Sequence, residues 1–175
     1  MAIAVTSIGA KVLYAVEETA GKRPITGYTA IPGITEIPDM DSEPEYLETT
    51  TMDNLEYKTY VAGLKDLGGA LQFVANLSQE LLNMWNGVGG MMEKYATAKD
   101  GGKAMWMCVY IPGLEQAVYF QFEPSPIGLM GTGVNEVIDV NLYVTPTSEP
   151  IWQDVPTDLA AEALAAQAST MNYKY

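Results

Sequence analysis

The clearest order in the chain is a strict two-residue alternation from Leu71 to Leu77, with Leu71, Phe73, Ala75 and Leu77 on one side and Gln72, Val74 and Asn76 on the other. A half-buried strand reads this way, because successive side chains leave the pleated backbone on opposite faces. Upstream, the stretch from Ile34 holds three further short strand-like runs, broken by Pro38, by the acidic segment Asp39 to Glu45, by Met52 to Glu56 and by Gly68-Gly69. Lys11 to Val16 predicts a first strand, with Val12, Tyr14 and Val16 facing away from Lys11, Leu13 and Ala15. Lys103 to Ile111 is apolar on both faces, as in a strand covered on both sides. Pro112-Gly113 turns the chain into Ala117 to Glu123, where Val118, Phe120 and Phe122 oppose Tyr119, Gln121 and Glu123. A final strand is expected from Glu136 to Val144, with Ile138, Val140, Leu142 and Val144 inward and Asp139, Asn141 and Tyr143 outward.

After Leu77 the period changes. Ser78 can cap a helix, and Leu81, Leu82, Trp85, Val88 and Met92 recur at helical spacing, which predicts a helix from about Gln79 to Ala98. Gly87, Gly89 and Gly90 weaken its middle by roughly 1 kcal/mol each relative to Ala, so two shorter pieces or one kinked helix are expected. A second, alanine-rich helix is expected from Thr157 to Ser169, with Thr157 as N-cap, Asp158 at the positive helix end, and a thin stripe of Leu159, Ala163, Leu164 and Ala168. Too short to be stable alone, it needs a surface to dock on. The elements together predict one mainly β domain of α+β type with one main helix, a sandwich or partly closed barrel of seven or eight strands. Residues 1–10 form an N-terminal arm, 11–146 the domain and 147–175 a C-terminal arm.

Composition narrows the function. Nine basic against 22 acidic residues leave a formal charge of −13, which excludes a protein that grips nucleic acid by neutralising phosphates. With no His and a single Cys, Cys108, imidazole catalysis, the usual zinc sites and internal disulfides drop out, and a reducing, cytosolic assembly site fits. No run reaches the roughly 18 apolar residues of a membrane span, and the N-terminus lacks a basic leader. Asp39, Asp41, Glu43 and Glu45 alternate like calcium-loop ligands, but the sixth-position Gly is missing and the twelfth position is Thr50 rather than Glu. A solvated or partner-facing acidic loop explains them better. Paired carboxylates could serve a glycosidase, yet among 22 acids some pair is always available. Neither a GxSxG elbow nor a phosphate loop is present. No enzyme, cofactor or metal is expected. Trp85 and Trp106 sit in apolar periodic runs and read as core, whereas Trp152, in a polar proline-rich tail, reads as a docking residue together with Leu159.

Several stretches, in order, resemble the tail tube (major tail) proteins of long-tailed bacteriophages. They are GAKVLYAVEETAGKRPITGY from Gly9 with the IPGI entry at Ile31 to Ile34, the proline-broken acidic loop ahead of EYKTYVAGLKDLGGALQF, the helix entry Asn76 to Leu82, the Trp106 strand, Phe122-Glu123-Pro124, and NEVIDVNLYVTPT. The resemblance covers about Gly9 to Pro146. It implies a subunit whose sheets join edge to edge in a hexameric ring, with rings stacked into a tube that conducts double-stranded DNA as unbound cargo into the host. It also implies self-association, other tail proteins at the tube ends, and a place in the virion tail after assembly in the host cytoplasm. On this view Tyr46, Leu47, Met52 and Leu55 are inter-ring contacts, and Gln72, Asn76, Gln121, Glu123, Asp139 and Asn141 line the lumen. The alternatives are the tube of a contractile injection device and a β-sandwich module that binds a cell-surface ligand.

Overall fold

A computed structural model describes residues 7–53 and 56–161. The architecture is mainly β. An eight-stranded sheet is built from β1 (Lys11–Val16), β2 (Thr29–Ala30), β3 (Ile34–Glu36), β6 (Leu71–Asn76), β7 (Met105–Tyr110), β8 (Gln116–Pro124), β9 (Asp139–Pro146) and β10 (Ile151–Asp154). A separate hairpin pairs β4 (Tyr46–Glu48) with β5 (Tyr60–Ala62). The four runs read between Ile34 and Leu77 are thus β3, β4, β5 and β6. Two short helices, α1 (Gln79–Trp85) and α2 (Met91–Asp100), lie between β6 and β7.

In the main sheet the order is β2-β1-β7-β8-β9-β6-β3, all neighbours antiparallel, with β10 added to β8. The two end strands, β2 and β3, are consecutive in the chain and only Ile31, Pro32 and Gly33 separate them. From Ala30 to Ile34 an extended chain reaches at most about 14 Å, so the sheet must curl until its ends nearly meet. Hydrogen bonds fasten both sides of this join: Ile31 N–H donates to Val12 O, and Asn76 N–H donates to Gly33 O. Gly33 is left-handed at φ 75°, and a Cβ there would come within 3.1 Å of Asn76 O. Only glycine fits that corner without strain.

Curling divides the side chains into an inside and an outside. Inside, Val12, Tyr14, Phe73, Ala75, Met107, Phe120, Phe122, Val140 and Leu142 form one core, joined by Leu81, Trp85 and Met91 from the helices. Ser78 caps α1 by accepting from Leu81 N–H, and the Trp85 indole N–H donates to Ser125 O at 2.7 Å. The expected helix is two pieces, parted at Asn86 to Gly90. The break also rotates its apolar stripe: Met91 is fully buried while Val88, expected on the core side, is 98% exposed. Outside, on β1, β7 and β8, Leu13, Trp106, Cys108, Ala117 and Tyr119 make a second cluster. The β1–β2 loop and the chain after β10 cover it. β1 is therefore buried on both faces, a point its alternation hid.

The segment assigned from sequence to a C-terminal arm is partly sheet. β9 and β10 lie in line along the same edge of β8, Pro146 opposite Phe122 and Ile151 opposite Tyr119, with two extra residues bulged between them. Leu159 is buried against the second cluster, and Thr157 is the first helical residue rather than its cap. Of the expected N-terminal arm over residues 1–10, residues 7–9 are exposed and residues 1–6 lie outside the described residues, as does the C-terminal helix beyond residue 161.

The covering loop is pinned by the buried Glu17, whose carboxylate accepts from the Trp106 indole at 2.8 Å, from Ala104 N–H at 3.1 Å and from Gly21 N–H at 2.9 Å. Burial opposes its charge, but these three donors and the nearby Lys103 outweigh it and hold the carboxyl below its ordinary 4.5. A depressed folded pKa means this contribution is complete above the unfolded value and is lost as pH falls through the folded one. We expect Glu17→Ala to cost about 2–3 kcal/mol at neutral pH by stranding buried donors, and Glu17→Gln to flatten the loss of stability between pH 5 and 3 that wild type shows (about the titration range of a carboxyl). Urea unfolding across that pH range checks both; identical curves for wild type and Glu17→Gln would show the group is not linked to folding.

Candidate assembly surfaces

The outer face of the sheet has two unlike halves. Over β1, β7 and the start of β8 it is roofed by its own chain. Arg23 stacks 4.0 Å above the Tyr119 ring and its Nε–H donates to Gln153; Tyr119 donates to Asp154 O at 2.6 Å; Gly27 N–H donates to the Asp158 carboxylate at 3.0 Å. Burial pushes the Tyr28 phenol and the Cys108 thiol each up to about 12, so the sole cysteine is inert at neutral pH.

Over β6, β9 and the end of β8 the outer face is bare. Register puts Gln72 beside Tyr143, Val74 beside Asn141, Asn76 beside Asp139, and Glu123 beside Thr145; Gln121 pairs with Trp106 on this same outer side. The six residues expected to face a lumen, Gln72, Asn76, Gln121, Glu123, Asp139 and Asn141, therefore share one face of one curled sheet. Gln72, Asn76, Glu123 and Asp139 are exposed, Gln121 and Asn141 half-buried. Gln121 N–H donates to Ser148 Oγ and Asn141 donates to Tyr143 Oη. Glu123 stands at the margin: partial burial first, and this carboxylate second, push the Tyr95 phenol up to about 12. No Lys or Arg occurs in β6, β8 or β9.

Two further surfaces lie at opposite ends of the curled sheet. β6 separates them: the β4–β5 arm enters at Leu71 and the helices leave at Asn76, about 17 Å along a strand of this length. The arm base shares a groove of about 1150 Å³ with Ala10, Ile111 and Trp152, where β1 begins and β7 has just ended. A smaller cavity beside α2 is lined by Val16, Glu17 and Lys103, where β1 ends and β7 is about to begin. The arm therefore projects from one end, and the helices sit at the other.

Tyr46 and Leu47, expected as contacts, are in β4 and more than half exposed; Met52, at the arm tip, is 97% exposed. Leu55 lies outside the described residues. Tyr60 and Val61 of β5 are exposed as well; the contacts expected from the sequence stop at Leu55 and do not include them. Two strands paired only with each other are marginal in water, and between residues 39 and 66 the arm carries eight carboxylates against two lysines. Its one described ion pair joins Lys58 to Glu48 at 3.2 Å. Trp152, on β10 opposite Val118, is 56% exposed, whereas Leu159 docks on its own subunit. Among the described residues no group of three or more Cys, Asp or Glu is placed to hold a metal ion, and no helix is long and apolar enough to cross a membrane.

No protein-family model and no curated protein matches the sequence. Among solved structures, the chain is similar to one in the cryo-EM structure of the anti-feeding prophage (AFP) baseplate, 6-fold symmetrised, with a TM-score of 0.55 and 11% identity over 89% of this chain and 99% of that one. At this identity the likeness is one of fold.

Because β10 and Leu159 close the roofed half, a chain ending at Thr147 bares Ala117, Tyr119 and Cys108. Leu159 alone contributes about 1.5–3 kcal/mol. We expect that truncation to lose cooperative thermal unfolding or to become insoluble; a soluble chain melting at the wild-type temperature would show that the segment is dispensable.

Proposed function

We propose that this chain is a non-enzymatic structural subunit of a phage tail or phage-tail-like particle, forming rings, six subunits in each, that stack into a tube with a polar lumen. The observation that carries the reading is the divided outer face. A sheet that roofs one half with its own chain and leaves the other half polar, and uncharged or acidic, has kept that half for water. In a ring it would line the channel. An acidic or neutral wall leaves DNA phosphates hydrated, whereas Lys or Arg repeated over many stacked subunits would hold them. Double-stranded DNA is then cargo without a binding site, and the partners are further copies of the chain and the proteins that end the tube.

The six-fold symmetry is that of the AFP baseplate structure, and it supports six copies here by analogy of fold. The same likeness favours a second reading, in which the tube or baseplate belongs to a contractile injection device and carries no DNA. The other alternative is a cell-surface binding module with Trp152 and the tyrosines as its contacts; Trp152, Tyr46, Tyr57, Tyr60 and Tyr143 are exposed.

Sedimentation of purified protein separates these readings. A ring subunit forms a discrete oligomer and, on concentration, longer polymers; a binding module stays monomeric or dimeric at every concentration, which would overturn the proposal. Excising residues 46–62 in favour of a short Gly-Ser turn should leave a folded subunit that no longer polymerises. The double substitution Glu123→Lys with Asp139→Lys takes a carboxylate away from the Tyr95 phenol and should still give tubes. In a DNA-carrying virion it should slow ejection, most at low salt. Normal ejection at low and high salt would place these side chains away from DNA.

A further inference from the structure

Among the described residues, the loop between β8 and β9, residues 125–138, is an exposed apolar segment besides the arm. Its start is fastened to α1: Ser125 O accepts from the Trp85 indole, and the Ile127 amide and carbonyl exchange hydrogen bonds with the Asn86 side chain. Past that anchor Leu129, Val134 and Val137 are 80%, 91% and 74% exposed, and Met130 and Ile138 are also exposed. The turn carrying them is built rather than slack, because Gly133 N–H donates to the Glu136 carboxylate at 3.0 Å and Asn135 takes a left-handed φ of 65°. Glu136 is the only charged residue between 125 and 138, and this bond ties it back.

The loop enters β9 at Asp139, opposite Asn76, and so lies at the helix end of the curled sheet, away from the arm. Each chain therefore presents an apolar, acidic-rimmed hairpin at one end and an apolar, almost uncharged loop at the other. At a net charge of −13 most surfaces of a second copy repel an arm carrying eight carboxylates. The loop is the exposed apolar patch that does not add to that repulsion. The helices beside it carry Glu80, Glu93 and Asp100 together with Lys94 and Lys99, so the acidic rim of the arm meets both signs of charge there while its apolar residues meet the loop.

We infer that residues 129–138 are the receiving surface for the β4–β5 arm of a second copy. The contact joins different patches on the two partners, so it does not close on itself and generates an open stack. This rests on the reading that copies assemble into rings and adds which surface of the next ring takes the arm.

The test uses two full-length chains of distinguishable mass, Met52→Cys and Leu129→Cys, mixed in equal amounts and oxidised with diamide. Cys108 is fully buried and stays silent. Thiols held together by the contact should give the mixed disulfide dimer in roughly tenfold or greater excess over either homodimer. Val134→Cys serves if Leu129→Cys misfolds by circular dichroism. Predominant Met52 homodimers would mean arm meets arm and would overturn the inference. So would tubes that form without the mixed dimer, while leaving the ring reading intact. If neither polymers nor mixed dimers form at any concentration, both readings fail.

Discussion

Everything in this molecule follows from the shortness of the join between β2 and β3. Three residues, Ile31 to Gly33, connect strands at opposite ends of the main sheet, and an extended chain of that length reaches only about 14 Å. The sheet has to curl, and curling decides which side chains meet. The inner faces of β1, β7, β8, β9 and β6 converge on one dry core large enough to take Leu81, Trp85 and Met91 from the helices. The short strands β2 and β3 stay at the two ends of the curled sheet, each paired on one side only, which leaves edges that another chain can pair with. Gly33 is the small residue on which the corner turns.

Closure leaves an outer face that one chain of this length covers only in part. The covered half is held by the Glu17 carboxylate with its three donors and by the Arg23–Tyr119 stack. The uncovered half is polar and free of Lys and Arg. Strand ends then fix the remaining geometry, since any segment entering β6 and any segment leaving it emerge on opposite ends. The acidic hairpin and the helices are such a pair, and the β8–β9 loop joins the helix end because Asp139 faces Asn76. A wall and two unlike ends are what a stacking ring subunit requires.

Much of this was legible in residue order, and the failures have physical causes. β6 could be read because one of its faces is core and the other is bare, so the alternation from Leu71 to Asn76 reports burial directly. The same alternation assigns Gln72, Asn76, Gln121, Glu123, Asp139 and Asn141 to one side of their strands, and the register puts them on the outer face. β1 misled because the outer roof buries Leu13 and Ala15 as well, which no local pattern reveals. β10 looked like a linker: Pro150 and Pro156 bracket it, and Gln153 and Asp154 are polar because it has only one strand neighbour, on β8. Val88 and Met91 exchanged places because the glycines at 87, 89 and 90 part the helix and reset its phase. The arm was recognised by its apolar residues, but a hairpin whose connection runs from Thr49 to Thr59 has no short turn to announce its second strand. Nothing in the sequence alone sets the β8–β9 loop against the arm; that needs the register of β9 on β6.

The central claim is that the bare face of β6, β9 and the end of β8 lines the channel of a ring. A cryo-EM map of the concentrated, assembled protein tests it most directly. The account predicts six copies with Gln72, Asn141 and Asp139 pointing to the axis and the Arg23–Tyr119 roof turned away from it. A ring in which the roofed half of the sheet faces the channel, or in which β6 and β9 lie on the outer wall, would contradict it.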